Sequence, residues 1–149
     1  MNKTNIYMGL DLSVSSSGIA MTLNGRDFFY WQVSSLEISG ILNMIKIVFG
    51  ESKIFAYMEK VSGKWSRGKA SCSVQIETES MIKSMWPRQN KVQRINVLTW
   101  RKEIYGTAKI EDAKGCAVDY VKKYFDIDVE HDIAEAIILA KMSYDENNK

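Results

Sequence analysis

Apolar and polar residues near the start of the chain follow a pattern that predicts strands. The stretch 5–12 (NIYMGLDL) is typical of a strand and ends at a serine-rich turn, and 18–24 forms a second apolar strand. Asn24-Gly25 is the strongest hairpin signal in the chain, and it leads into the aromatic and β-branched stretch 26–33. The chain is therefore predicted to open with an antiparallel meander of three strands.

Helices and strands alternate after this meander. Residues 53–59 (KIFAYME) and 91–97 (KVQRINV) are predicted strands, and the first is central because both of its faces are apolar up to Glu59. Helices are predicted over 35–49, 72–86, 98–105, 111–125 and 129–144, with 60–71 as a basic loop and 145–149 as a flexible tail. We predict one α/β domain over 1–149, with a five-stranded mixed sheet flanked by helices.

Three of the predicted helices have a clear apolar face. The first carries an apolar stripe of Ile38, Ile41, Leu42, Ile45, Val48 and Phe49. The helix over 72–86 places Val74, Thr78, Met81, Ile82 and Met85 on one side, and Pro87 ends it. The helix over 111–125 is predicted to turn Ala117, Tyr120, Val121 and Tyr124 inward.

Composition excludes several classes of protein. The chain has 149 residues, of which 46% are apolar and 26% charged, with a single proline, so it is neither disordered nor collagen-like. Its apolar stretches are too short for a membrane helix, and its first residues lack the apolar region of a signal peptide. We expect a cytoplasmic protein.

Cys72 and Cys116 lie far apart in the sequence and His131 is the only histidine, which excludes a zinc finger. Both cysteines are expected to be reduced and near the core.

The charge is unevenly distributed along the chain. Residues 60–122 contain 13 Lys/Arg and 6 Asp/Glu, a net charge of +7, whereas the rest of the chain has 7 basic and 12 acidic residues, a net charge of −5. A basic middle with acidic flanks is typical of a protein that binds a polyanion around a carboxylate-rich centre. Ordinary solvated lysines and arginines on helix faces explain the same pattern equally well.

Four acidic residues lie at positions where carboxylates commonly take part in ligand binding or catalysis. Asp11 ends the first strand and Glu59 ends the fourth, and ligand sites in open α/β sheets lie beyond such strand ends. If these two strands are parallel neighbours, both side chains project into one crevice. Asp132 and Glu135 are three residues apart in the last helix (DIAEAIILA), so they share a helix face that would complete the cluster.

A cluster of four carboxylates needs a counterion. Oxygen donors without a useful histidine or cysteine favour Mg²⁺ or Mn²⁺, and a pair of such ions is the usual device for cleaving phosphodiesters. Each acid also has a simpler interpretation: Asp11 as a turn residue, Glu59 as the partner of a lysine and Asp132 as a first-turn acid of a helix. His131 is interpreted as a histidine at a helix N-terminus, or alternatively as a contact to Asp132 or to a phosphate.

These residues resemble a known family. GLDLSVSSSG is similar to the opening of RuvC-type Holliday junction resolvases, AYMEKV to their second acidic strand and DIAEA to their C-terminal helix motif, while VLTWRKEIYGTAK resembles a segment of the shorter, phage-type members. The resemblance implies an RNase H-like fold, a homodimer and Mg²⁺-dependent cleavage of branched DNA, with Asp11, Glu59, Asp132 and Glu135 as the metal ligands. Two departures are Glu135, where the family more often has Asp, and Leu12-Ser13, where it often has Pro-Gly.

Basic residues around this motif set are candidates for DNA contact. The loop after Glu59 combines cations with a tryptophan, which suits phosphates and an unpaired base; its candidates are Lys60, Lys64, Trp65, Arg67 and Lys69. Lys109 and Lys114 resemble family lysines near the scissile phosphate, and Arg101 is a further candidate. The alternative interpretation is that the basic residues are ordinary solvated side chains and that Trp65 packs on the core.

The resemblance also implies a dimer through the helix over 72–86, with Trp86 as a possible part of the interface. Two protomers would place two sites on opposite strands of a four-way junction. A protein of the same fold that binds branched DNA without cutting it is the alternative function. Sugar kinases and actin-like ATPases have a similar first strand and turn, but they need two lobes and a much longer chain.

Overall fold

A five-stranded mixed sheet lies at the centre of the computed structural model, which describes residues 4–60, 66–107 and 109–149, without the side chains of 66–68. The strands are β1 (Ile6–Asp11), β2 (Ser17–Thr22), β3 (Phe28–Val33), β4 (Ile54–Glu59) and β5 (Asn90–Ile95). Their order is β3-β2-β1-β4-β5; β1, β2 and β3 are antiparallel, and β4 runs parallel to both β1 and β5. The predicted fold class and the parallel pairing of the first and fourth strands are confirmed.

Helices cover both faces of the sheet. They are α1 (Ile38–Phe49), α2 (Ser66–Met85), α3 (Val97–Tyr105), α4 (Ala113–Phe125) and α5 (His131–Asn147). Alternate side chains of β1 point to opposite faces. Ile6, Met8 and Leu10 therefore pack with α1 and α2, while the other face holds α5 and, outside it, α3 and α4.

Helix α5 lies directly on the sheet. It is buried on all sides between Ile133 and Ala140, as expected for a helix enclosed by protein. Two glycines allow the close approach: a Cβ at Gly9 would lie 1.9 Å from the backbone oxygen of Ala136, and a Cβ at Gly18 would lie 2.1 Å from that of Asp132. The absence of two side chains therefore determines where the helix, and the acids at its start, sit over β1 and β2.

The start of α2 and the end of α5 extend beyond the helices predicted from the sequence. Helix α2 begins at Ser66, so residues 66–71, predicted as a loop, are helical. This stretch of polar and small residues has no apolar periodicity that would reveal a helix. Helix α5 continues to Asn147 rather than ending at 144, and its final turns are held by an ion pair between Lys141 and Asp145, 2.7 Å apart.

Two predicted apolar faces are also only partly correct. In α1, Ile38, Leu42 and Ile45 are buried, but Val48 is 65% exposed. In α4, Ala117 and Val121 are buried as predicted, whereas Tyr124 is 58% exposed. A helix packed on one side buries a narrower stripe than its apolar residues suggest.

The cysteines agree with expectation, because Cys72 and Cys116 are half-buried and neither forms a disulfide. Within the described part of the chain, no helix combines the length and apolar character that crossing a bilayer requires.

Candidate functional site

The predicted acids lie at the end of the sheet where strands β1 and β4 terminate. Asp11 and Glu59 are the last residues of β1 and β4, and the register of the parallel pair, with Leu10 opposite Met58, brings them to the same level. Asp132 and Glu135 lie in the first turns of α5. Because Gly18 pairs with Asp11 and also contacts the backbone of Asp132, the start of α5 lies over the end of β1.

Three of the four acids line one cleft. Asp11, Asp132 and Glu135 face a cavity of about 480 Å³, whose remaining walls come from the middle of α3, the segment 111–114 at the start of α4, and His131. Glu59 does not line this cavity, but it lies close enough for its charge to act on Asp11. The sequence analysis predicted that all four acids share one crevice; three of them line this cleft, and Glu59 lies beside it.

Burial and mutual repulsion perturb these carboxylates. The pKa of Asp11 is raised well above its usual range, first by burial, then by the charge of Glu135 and a hydrogen bond with it, and further by the charges of Glu59 and Asp132. The pKa of Glu59 is raised by burial and by Glu135, against the opposing effects of Trp100 and Arg101. Burial therefore disfavours the charged forms of Asp11 and Glu59, and the neighbouring carboxylates add to this effect.

Buried polar contacts hold Glu59 in place. The indole Nε1 of Trp100 donates a hydrogen bond of 2.9 Å to its carboxylate Oε2, and Gln75 donates through Nε2 to its backbone oxygen. Trp100 is fully buried and Gln75 is buried in α2, so both contacts are rigid. The sequence analysis did not identify either residue. The one sequence signal that could have identified Trp100 is its position inside the family-like segment VLTWRKEIYGTAK.

Asp132 is oriented by a second set of contacts. Ser16 Oγ donates to its Oδ2 at 2.9 Å, and Gln32 Nε2 in turn donates to Ser16 Oγ at 2.9 Å. His131 Nε2 lies 2.9 Å from Asp132 Oδ1, so the histidine contacts the acid that the sequence placed beside it. Ser16 and Gln32 were missed because they lie far from Asp132 in sequence, although Ser16 belongs to the GLDLSVSSSG segment.

The donor set fits a hard divalent cation. The four acids offer only oxygen atoms, which Mg²⁺ and Mn²⁺ prefer, and repulsion between neighbouring carboxylates contributes to the raised pKa values of Asp11 and Glu59. In the described residues, no group of three or more His, Cys, Asp or Glu side chains converges on a point where an ion could be held. Asp11 and Glu135 lie close enough for the charge of Glu135 to raise the pKa of Asp11.

The predicted DNA contacts fall into three groups. Arg101 and Lys114 line the same cleft as the acids, and the buried Nε of Arg101 has no hydrogen-bond partner among the described atoms. Lys60, Lys69 and Lys109 are exposed on the surface. Lys64 and Trp65 lie outside the described residues, and of Arg67 only the backbone is described, in the first turn of α2.

The comparisons with known proteins show the fold. No protein-family model matches the chain, and no curated protein matches it in sequence. The structure is similar to that of Thermus thermophilus RuvC, with a TM-score of 0.64 and 10% identity over 95% of this chain and 96% of that one. It is also similar to T. thermophilus RuvC in complex with a Holliday junction substrate, with a TM-score of 0.67 and 9% identity over 96% of each chain. The chain therefore has a RuvC-like fold of the RNase H-like type.

Proposed function

We propose that the protein is a divalent-metal-dependent endonuclease that cleaves phosphodiester bonds in branched DNA. The observation that carries the proposal is the grouping of Asp11, Asp132 and Glu135 in one cleft, with Glu59 beside them, in a RuvC-like fold. Branched DNA is proposed as the substrate because one of the similar structures is a complex with a Holliday junction.

The four acids are the proposed ligands of Mg²⁺, for which Mn²⁺ could substitute. Bound ions of this kind supply activation of water and stabilisation of the charge that develops on the phosphate. Trp100 and Ser16 fix the orientation of Glu59 and Asp132, which limits the rearrangement that ligation requires. A bound cation would relieve the repulsion by Glu135 that contributes to the raised pKa of Asp11.

Arg101 and Lys114 are the proposed phosphate contacts nearest the acids. Both line the cleft, and Arg101 packs with its guanidinium 5.6 Å from the centroid of the Trp100 ring, which fixes one face of the side chain. A phosphate oxygen is a strong acceptor for a guanidinium group. Lys60, Lys64, Trp65, Arg67, Lys69 and Lys109 are proposed as further contacts along the DNA.

The proposal is tested by a nicking assay on four-way, three-way, flap and linear duplex DNA, with Mg²⁺ or with EDTA. The wild-type protein is expected to cut branched substrates only with the metal, and Asp11→Asn and Glu59→Gln are expected to fold and bind but not to cut. Glu103→Gln, which changes an exposed acid of α3, is the matched control and should cut normally. Band shifts in EDTA without products in Mg²⁺ or Mn²⁺ would identify a DNA-binding protein instead, and equal cutting of linear duplex would exclude structure selectivity.

A homodimer through α2 remains part of the proposal, with its interface redefined. Val74 and Ile82 of the predicted stripe are buried in the protomer core, and Trp86 is only 2% exposed, so these residues are not available to a partner. The opposite face of α2, which carries Ile76 at 54% exposure, is the proposed contact. Sedimentation equilibrium should show a dimer that Ile76→Glu dissociates. Dissociation by Ile47→Glu on α1 instead would move the interface to that helix.

A further inference from the structure

A second cleft lies further along α5, away from the carboxylates. Its volume is about 590 Å³, and it is bounded by the turn between β2 and β3, the end of α4 and the middle of α5. Ligand sites typically have volumes of roughly 300–1,000 Å³. Asp11 pairs with Gly18 whereas Tyr7 pairs with Thr22, so the turn that follows Thr22 is at the opposite end of the strand pair from Asp11. The cleft is therefore separate from the candidate active site.

Aromatic rings from α4 form one wall of this cleft. Phe125 is fixed by an edge contact with Phe28 of β3, with ring centroids 4.9 Å apart, and Tyr120 packs against Tyr124 at 4.5 Å. Tyr124 is 58% exposed although it sits on this packed cluster. An exposed ring on a fixed support is a surface on which a base can stack, and each such contact contributes about 1–3 kcal/mol.

Cations surround the exposed ring. Lys123 Nζ lies 5.2 Å from the centroid of the Tyr124 ring. The acid that lines the cleft, Asp126, is paired with Lys122 at 2.9 Å. No described carboxylate forms an ion pair with Arg26 or Lys123, so both charges are available to a phosphate. Three cations line the cleft, namely Arg26 of the turn after β2, Lys123 of α4 and Lys141 of α5, and Lys141 is already paired with Asp145.

We propose that this cleft binds an unpaired nucleotide of a DNA strand, with the base stacked on Tyr124 and the phosphate against Lys123 and Arg26. Stacking and charge together favour a nucleotide over an acidic protein segment, since an acidic segment would use the cations without needing the exposed ring. The proposal goes beyond the cleavage reaction and does not depend on it, because it concerns binding without a metal.

The test measures binding of a fluorescein-labelled oligothymidylate by anisotropy in EDTA. Tyr124→Ala is expected to weaken binding roughly 5- to 100-fold, and Tyr124→Phe to retain it. Lys123→Ala should weaken binding and reduce the slope of log affinity against log salt by about one. Tyr30→Ala, which removes a 41% exposed tyrosine from β3, is the control and should bind as the wild type does.

Photo-crosslinking identifies the bound surface independently of affinity. An oligonucleotide that carries 5-iododeoxyuridine should crosslink to the peptide that contains residues 120–125, and Tyr124→Ala should lose this product. Wild-type affinity in Tyr124→Ala, or crosslinks only elsewhere, would overturn the proposal. Competition by polyglutamate as strong as that by unlabelled oligothymidylate would also overturn it, because the occupant would then be an acidic protein segment.

Discussion

Replacing Gly18 by alanine tests whether the contact of α5 with the sheet positions the acids. Gly18 is on β2, opposite Asp11, and its Cα faces the backbone of the first turn of α5. A Cβ built there would lie 2.1 Å from the oxygen of Asp132 and 3.0 Å from the nitrogen of Ile133. Both neighbours are backbone atoms, so no side chain can rotate away to make room.

The size of the expected effect follows from this overlap. Ordinary van der Waals contact begins at 3.4 Å, so the start of α5 would have to retreat by roughly 1.3 Å. Overpacking of this kind costs about 3 kcal/mol at the upper end of its usual range, which lowers the Tm of a domain of this size by about 6–12 °C. A displacement of about 1 Å at a catalytic group reduces a rate by roughly 100-fold.

The assay combines thermal denaturation with single-turnover nicking of a four-way junction well below the Tm. Gly40→Ala is the control, because no atom lies within 4 Å of the added Cβ and the position is exposed in α1. Alanine is more favourable than glycine in a helix by about 0.5–1 kcal/mol, so this variant should be slightly more stable and fully active. A Gly18→Ala protein with the Tm and nicking rate of the wild type would refute the inference that this contact positions the acids.

Three further predictions concern the carboxylates and their neighbours. The raised pKa of Asp11 means that its ionisation weakens the fold, so its contribution to stability falls as pH rises from about 4 through the raised value. In EDTA at neutral pH, Asp11→Asn should therefore have a higher Tm than the wild type, with a smaller difference near pH 4; a lower Tm at neutral pH would contradict the assignment. Ser16→Ala removes the hydrogen bond to Asp132 and should weaken Mg²⁺ affinity roughly 10-fold by calorimetry, whereas an unchanged affinity would mean that the contact does not orient the acid. Arg101→Ala should weaken junction binding and reduce its salt dependence by about one counterion, and an unchanged salt slope would show that the arginine contacts no phosphate.

The local pattern of the chain was enough to predict the main elements and the acids. Alternation and the Asn24-Gly25 turn predicted the first three strands, and the strand ends at Asp11 and Glu59 follow directly from where the apolar residues stop. These features are local, because backbone geometry and hydrophobic periodicity act over a few residues. Boundaries that depend on exposed polar turns, such as the start of α2 at Ser66, were placed less accurately.

Contacts between distant segments could only be read from the tertiary structure. The hydrogen bonds from Trp100 to Glu59 and from Ser16 to Asp132 join residues 41 and 116 positions apart, and no sequence pattern specifies such pairs. The exposure of Tyr124 likewise depends on how much of α4 its neighbours cover. Sequence by itself determined which residues can ionise and approximately where the strands end, because these are local properties. Only packing decided which of the charges meet, since the approach of α5 depends on Gly9 and Gly18 lying beneath it.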